Sequence, residues 1–190
     1  MAIVRFGTAS ALLASLVLGQ DPHAHHRPAP TPVEGGWVKY QHETAGFSLE
    51  HPAAWSVVSG KNAASIHIAH PTKAAHLFVS VFAMPEGSLR EFAELKFGFQ
   101  QEIFRPLGPA RAMEGAGWSG LVQEAEAAQG EERARRRILC AQHGDLYVVL
   151  ALYFDPRDLA EPGQDYERLF TSLRFDAGPD APVSSPAPPQ

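Results

Sequence analysis

One cysteine, Cys140, is all the thiol this chain of 190 residues carries. No internal disulfide can form in any redox compartment, and the core must hold the fold unaided. Positive charge is also scarce: 16 Lys and Arg stand against 21 Asp and Glu, a net charge of −5. That balance argues against a general nucleic-acid binder, which gains affinity by neutralising phosphates. Long apolar runs are missing too. Beyond the N-terminal segment the longest is Leu146 to Phe154, nine residues, whereas a membrane-spanning helix needs about 20. No phosphate-cradling glycine loop, paired-cysteine zinc motif or EF-hand spacing occurs, and the sequence assigns no cofactor. An apolar content of 45% excludes a wholly disordered chain.

What is present begins with a targeting pattern. Arg5 is the only charge before Asp21, and Ala11 to Leu18 is apolar apart from Ser15. So short a run, followed by Val17-Leu18-Gly19, predicts a signal peptide over residues 1–19 and an exported product, periplasmic or extracellular. No cysteine follows the run to carry a lipid. Residues 20–36 hold four prolines and two glycines, and residues 176–190 hold five prolines. Both are predicted as disordered, a Pro/His-rich linker and a Pro/Ala-rich tail without helix or ladder strand. The intervening 37–175 is the size of one domain.

Within that body the patterns alternate between strand and helix. Phe47 to Leu49, Trp55 to Val58, Ser65 to Ala69 and Leu77 to Met84 read as strands. Ser88-Leu89-Arg90-Glu91 fits a capping box and opens a helix whose apolar positions run on through Phe99, Ile103 and Phe104 until Pro106. A meander follows, Trp118–Ala127, Arg133–Ala141 and Leu146–Phe154, with glycine-bearing turns between. Leu146–Phe154 is apolar at nearly every position, so both of its faces should be covered. A closing helix over 165–174 presents Tyr166, Leu169, Phe170 and Leu173 on one side. The order predicts an α+β layered domain with a largely antiparallel sheet.

Gly46-Phe47-Ser48-Leu49-Glu50-His51-Pro52-Ala53-Ala54-Trp55-Ser56-Val57 resembles the opening motif of the PsbP-like family. The closing segment Tyr166 to Phe175 is similar to that family's terminal helix, and the resemblance spans Gly46 to Phe175. It implies an α/β/α sandwich around an antiparallel sheet. The family includes extrinsic subunits of photosystem II, its fold also serves a nuclear Ran-binding factor, and many bacterial relatives are exported proteins. Across these the fold acts as a binding or assembly module, which implies a non-catalytic protein here. The His-bearing linker departs from the photosynthetic members, so the architecture carries over and no functional residue does. The motif also has a packing account: Phe47 and Leu49 share a strand face, Pro52 breaks the ladder, and Trp55 closes the corner.

Several groups are weighed as sites. His23, His25 and His26 are imidazoles suited to Zn, Cu or Ni. Pro22 lacks the amide a terminal copper clip needs, which leaves loose metal trapping or a solvated spacer. His67 and His70 differ in strand parity, so a three-histidine site would need a loop to bring His76 back. Gly117-Trp118-Ser119-Gly120 lacks the second glycine of a hydrolase elbow, position 121 being Leu, and precedes a strand. Cys140 sits among apolar neighbours, as an inert thiol does. Arg133, Arg135 and Arg137 share parity opposite Glu124 and Glu126, as either a paired surface or a patch for an anion or acidic partner. The prediction is an exported, non-catalytic PsbP-like module with an envelope protein as partner, no nucleic acid and no membrane span. The alternatives are an exported enzyme with an unrecognised site, or a metal-handling protein using the linker histidines.

Overall fold

The computed structural model describes residues 31–33, 36–42, 44–59, 64–83, 87–99, 101–127, 134–160 and 166–175. In chain order its elements are β1 (Thr31–Val33), β2 (Trp37–His42), β3 (Phe47–Pro52), β4 (Ser56–Ser59), β5 (Ser65–Ala69), β6 (His76–Ala83), α1 (Leu89–Gly98), β7 (Phe104–Pro106), β8 (Arg111–Gly115), β9 (Trp118–Ala127), β10 (Arg135–His143), β11 (Leu146–Phe154), a 3-10 turn (Pro156–Ala160), α2 (Tyr166–Thr171) and β12 (Arg174–Phe175). All strand pairings are antiparallel. The α+β architecture with a largely antiparallel sheet is therefore what the chain adopts. The strands divide into two sheets: a large one ordered β4-β5-β6-β11-β10-β9-β7, with β8 also on β9, and a small one ordered β1-β2-β3-β12.

Strand β11 lies between β10 and β6 at the centre of the large sheet, and its apolar run is buried on both faces. Val148, Leu150, Leu152 and Phe154 join Phe47 and Leu49 of β3 and Tyr166, Leu169, Phe170 and Leu173 in the main core. Tyr147 and Val149 point the other way and pack with Phe92, Ala93 and Phe97 of α1. The layers are thus α1, the large sheet, and a lid made of the small sheet with α2. Trp55 is buried at the corner, its ring edge-on to Tyr166 at 6.0 Å.

The start of α1 follows its capping box. The Glu91 amide donates to Ser88 Oγ at 3.3 Å, and the Ser88 amide donates back to Glu91 Oε2 at 3.0 Å. The Ser88 hydroxyl also donates to Glu91 Oε2 at 2.7 Å; this bond first and the Ser88 amide second favour the ionised carboxylate and lower its pKa. The helix ends sooner than its apolar periodicity predicts. Gly98 is its last residue, and Phe99 is extended at φ −64° and ψ 126°. Phe99 and Ile103 are exposed, while Phe104 opens β7 against Ala127. The open edge of β9 gains ladder hydrogen bonds from β7 that another helical turn would not supply.

Two other expectations are corrected by strand pairing, and one strand was not foreseen. Thr31–Val33, inside the expected linker, pairs with Trp37–Lys39 around Gly36, whose φ is +76°; Pro32 is tolerated because β1 is an edge strand. The closing helix stops at Thr171, and Arg174 and Phe175 instead pair with Ser48 and Phe47. Strand β8 was hidden in a stretch without strong alternation, and pairs with Trp118–Val122. The expected signal peptide and the C-terminal tail lie outside the described residues, as does the linker before Thr31. Among the described residues no helix is long and apolar enough to cross a membrane.

Candidate functional site

Helix α1 covers only part of the outer face of the large sheet. Ile138, Cys140, Tyr147 and Val149 lie beneath it. Beyond its C-terminus the register decides what is left uncovered. Arg136 pairs with Tyr153 and Tyr153 with His76. In the next row Ala151 pairs with Phe78, Phe78 with His67, and His67 with Val58. Cross-strand partners share a face, so these side chains form a strip of rings across the sheet. His67 stacks on Phe78 with centroids 4.5 Å apart and planes 3° from parallel. Tyr153 meets Phe78 edge-on at 5.8 Å and Phe104 at 5.7 Å. Phe78 is 43% exposed and Val58 59%.

One end of the strip is fixed by a buried cation. Arg136 is 2% exposed. Its guanidinium donates to the carbonyls of Phe97 and Phe99 and lies 5.0 Å from the Phe104 ring centroid. These bonds satisfy carbonyls left over where α1 ends. Burial lowers the Arg136 pKa, and the Tyr153 hydroxyl opposes that shift.

Midway along the strip two imidazoles meet. His67 Nε2 and His76 Nδ1 are 3.0 Å apart, one donating and the other accepting. Their rings are 28° from parallel. Burial first, and the neighbouring His76 second, lower the His67 pKa. His70, the third member of the sequence cluster, is elsewhere. Its Nδ1 accepts from the amides of Thr72 and Lys73, and its ring lies edge-on to Trp55. Antiparallel pairing of β5 and β6 thus brings His76 to His67 and leaves His70 out.

A concavity of about 340 Å³ opens where α2 meets the small sheet, lined by Lys39, Glu50, Arg168, Thr171, Ser172 and Arg174. Its polar groups are largely engaged with one another. Arg168 donates through Nε to Glu50 at 2.8 Å and stacks over Trp37. Ser172 Oγ accepts from the Glu50 amide at 2.9 Å, and Arg174 holds the carbonyls of Thr171 and Leu173. These bonds anchor α2 to β3.

The groups singled out in the sequence are dispersed. His23, His25, His26 and Arg133 lie outside the described residues. Arg135 pairs in register with Glu126, and Arg137 with Glu124, as parity predicts. Arg137, 11% exposed in its side chain, has Nε 3.3 Å from Glu124 and Nη1 bonded to Glu167. It also lies over Phe170. Two carboxylates thus face its one charge. Ser119 lies on β9 beside glycines that make room for Trp118: a Cβ at Gly115 would be 2.3 Å from the indole. The Trp118 indole N–H donates to the Leu173 carbonyl at 3.0 Å. Cys140 is fully buried, and burial pushes its pKa up to about 12. Sequence reading missed Arg136 and the His67–His76 contact. The available signal for Arg136 was its parity, opposite to that of its arginine neighbours.

No protein-family model matches the sequence, and no curated protein matches it. Solved structures do match by shape. The solution structure of cyanobacterial PsbP (CyanoP) from Synechocystis sp. PCC 6803 superposes with a TM-score of 0.60 at 12% identity, over 83% of this chain and 98% of that one. A crystal structure from Bacteroides thetaiotaomicron VPI-5482 superposes with a TM-score of 0.52 at 12% identity, over 77% of this chain and half of that one. The chain has a PsbP-like fold.

Proposed function

We propose that this protein is an exported, non-catalytic PsbP-like module that binds a protein partner in the cell envelope through the ring strip of its large sheet. The observation that carries the reading is the strip itself. Phe78 and Val58 stay open to solvent on a face that α1 covers elsewhere, and exposed contiguous apolar surface marks interaction sites. Its rings are held by the sheet and by Arg136, so little ordering cost attaches to contact. Export rests on Arg5 and the apolar run Ala11 to Leu18. The non-catalytic part is supported by Cys140, whose pKa of about 12 leaves it without a thiolate, and by the arginines and carboxylates that neutralise each other beside α2.

The test is affinity capture from the native envelope extract with the full chain and with a Val58→Ser, Phe78→Ser double variant. The reading expects one partner in fixed ratio with the wild type and its loss with the variant, both proteins being equally folded by circular dichroism. Equal recovery by the two, no partner for either, or turnover of a small molecule by the wild type overturns it.

A further inference from the structure

The two imidazoles on β5 and β6 face each other across a hydrogen bond. From the 3.0 Å between His67 Nε2 and His76 Nδ1, we infer that the pair is a binding site for a divalent ion of tetragonal preference, Cu(II) or Ni(II). A first-row ion sits about 2.05 Å from each imidazole nitrogen. With the nitrogens 3.0 Å apart the angle at the metal is about 94°, the angle between neighbouring positions of a square-planar or octahedral ion. Two imidazole nitrogens so placed suit Cu(II) and Ni(II), which take nitrogen ligands in tetragonal sites.

The site is built into a ladder. His67 pairs across with Phe78 and His76 with Ala69, so the two histidines are diagonal neighbours on one face. Phe78 lies flat on the His67 ring, which limits its rotation. Both histidines are half-buried. Today the pair shares one N–H between the facing nitrogens. Binding moves that proton to the outer nitrogen of the same ring, so two neutral imidazoles become ligands with no proton released. Among the described residues no group of three or more His, Cys, Asp or Glu is placed to hold a metal; water fills the remaining positions.

The experiment uses the full chain carrying His23→Ala, His25→Ala and His26→Ala, so that linker histidines do not compete, titrated with Cu(II) alone. One equivalent is expected, with nitrogen hyperfine structure from two imidazoles in the electron paramagnetic resonance spectrum. Adding His67→Asn or His76→Asn is expected to weaken binding by about a hundredfold, the contribution of a second tethered ligand. Substoichiometric Cu(II) on the unmutated full chain supplies a readout that needs no folded variant: ring protons of His67 and His76 should broaden before those of His70 and His143. Binding that survives either Asn variant, that vanishes with the linker histidines, or that broadens His70 or His143 first overturns the assignment.

Discussion

Arg136 and Phe97 are 39 residues apart in the chain, and the guanidinium of the first donates to the carbonyl of the second at 3.2 Å. A strand residue thereby finishes a helix that the helix's own sequence leaves open. The bond couples the end of α1 to the strip, because the same guanidinium lies over Phe104.

Replacing Arg136 with Ala should destabilise the fold by about 1.5–3 kcal/mol, the range for hydrogen bonds to a charged group. Arg136→Lys should recover only part of this, since an ammonium cannot span two carbonyls and stack on a ring as a planar fork does. Urea midpoints at an unchanged m-value measure both.

Gly120→Ala should destabilise by about 1–3 kcal/mol through overpacking. The added Cβ would be 2.9 Å from the Cys140 backbone carbonyl and 3.0 Å from the Trp118 ring. The carbonyl belongs to the ladder and cannot yield, so β9 itself must shift, and Leu139 Cδ1 at 2.9 Å and the indole must give way with it. A reduced thermal midpoint together with an altered near-ultraviolet signal from tryptophan is the expected result.

Stability should fall on mild acidification because of His51. The ring is 2% exposed. Its Nδ1–H donates to the Pro52 carbonyl, while Nε2 is buried with no hydrogen-bond partner among the described residues. Burial lowers the pKa, and the Pro52 bond only partly offsets it. The unfolded chain takes up this proton first, so stability is full above the unfolded value of about 6.5 and declines as pH drops from there towards the folded value. His67 adds a change of the same sign. Denaturant unfolding from pH 7.5 to 5 should show the decline, and His51→Gln should flatten part of it.

Cys140 should not react with a thiol reagent at pH 8 while the protein is folded, its pKa being about 12 and its side chain inaccessible. Added denaturant should make labelling appear together with loss of the circular dichroism signal. Fast labelling of the native chain would contradict the packing of α1 over β10.

Where the chain's own periodicity decides structure, the sequence could be read directly. Ser65–Ala69, Trp118–Ala127 and Leu146–Phe154 form strands with the predicted bounds, and Ser88 begins the helix it was expected to cap. Where a distant residue decides, local pattern misleads. Phe99, Ile103 and Phe104 keep a helical spacing, yet Arg136 and the open edge of β9 set the helix end. Arg174 and Phe175 continue a helical pattern, yet their amides pair with β3.

The candidate site was less legible for the same reason. Parity separated His67 from His70 correctly, but the meeting of His67 with His76 depends on the β5–β6 register. The pairing of Arg137 with Glu124 followed from a hairpin, whereas its second carboxylate, Glu167, arrives from α2 and gave no local signal.

The stitching of Phe175 to Phe47, and of the Trp118 indole to the Leu173 carbonyl, has a consequence during biosynthesis. The lid over the main core is completed by some of the last residues of the body to be made. Until they emerge, Phe47 and Leu49 lack their cover from α2 and the β3 edge lacks a neighbour. A growing polypeptide of this kind must keep an apolar flank from self-association almost to the end of its synthesis, because its longest-range contacts form last.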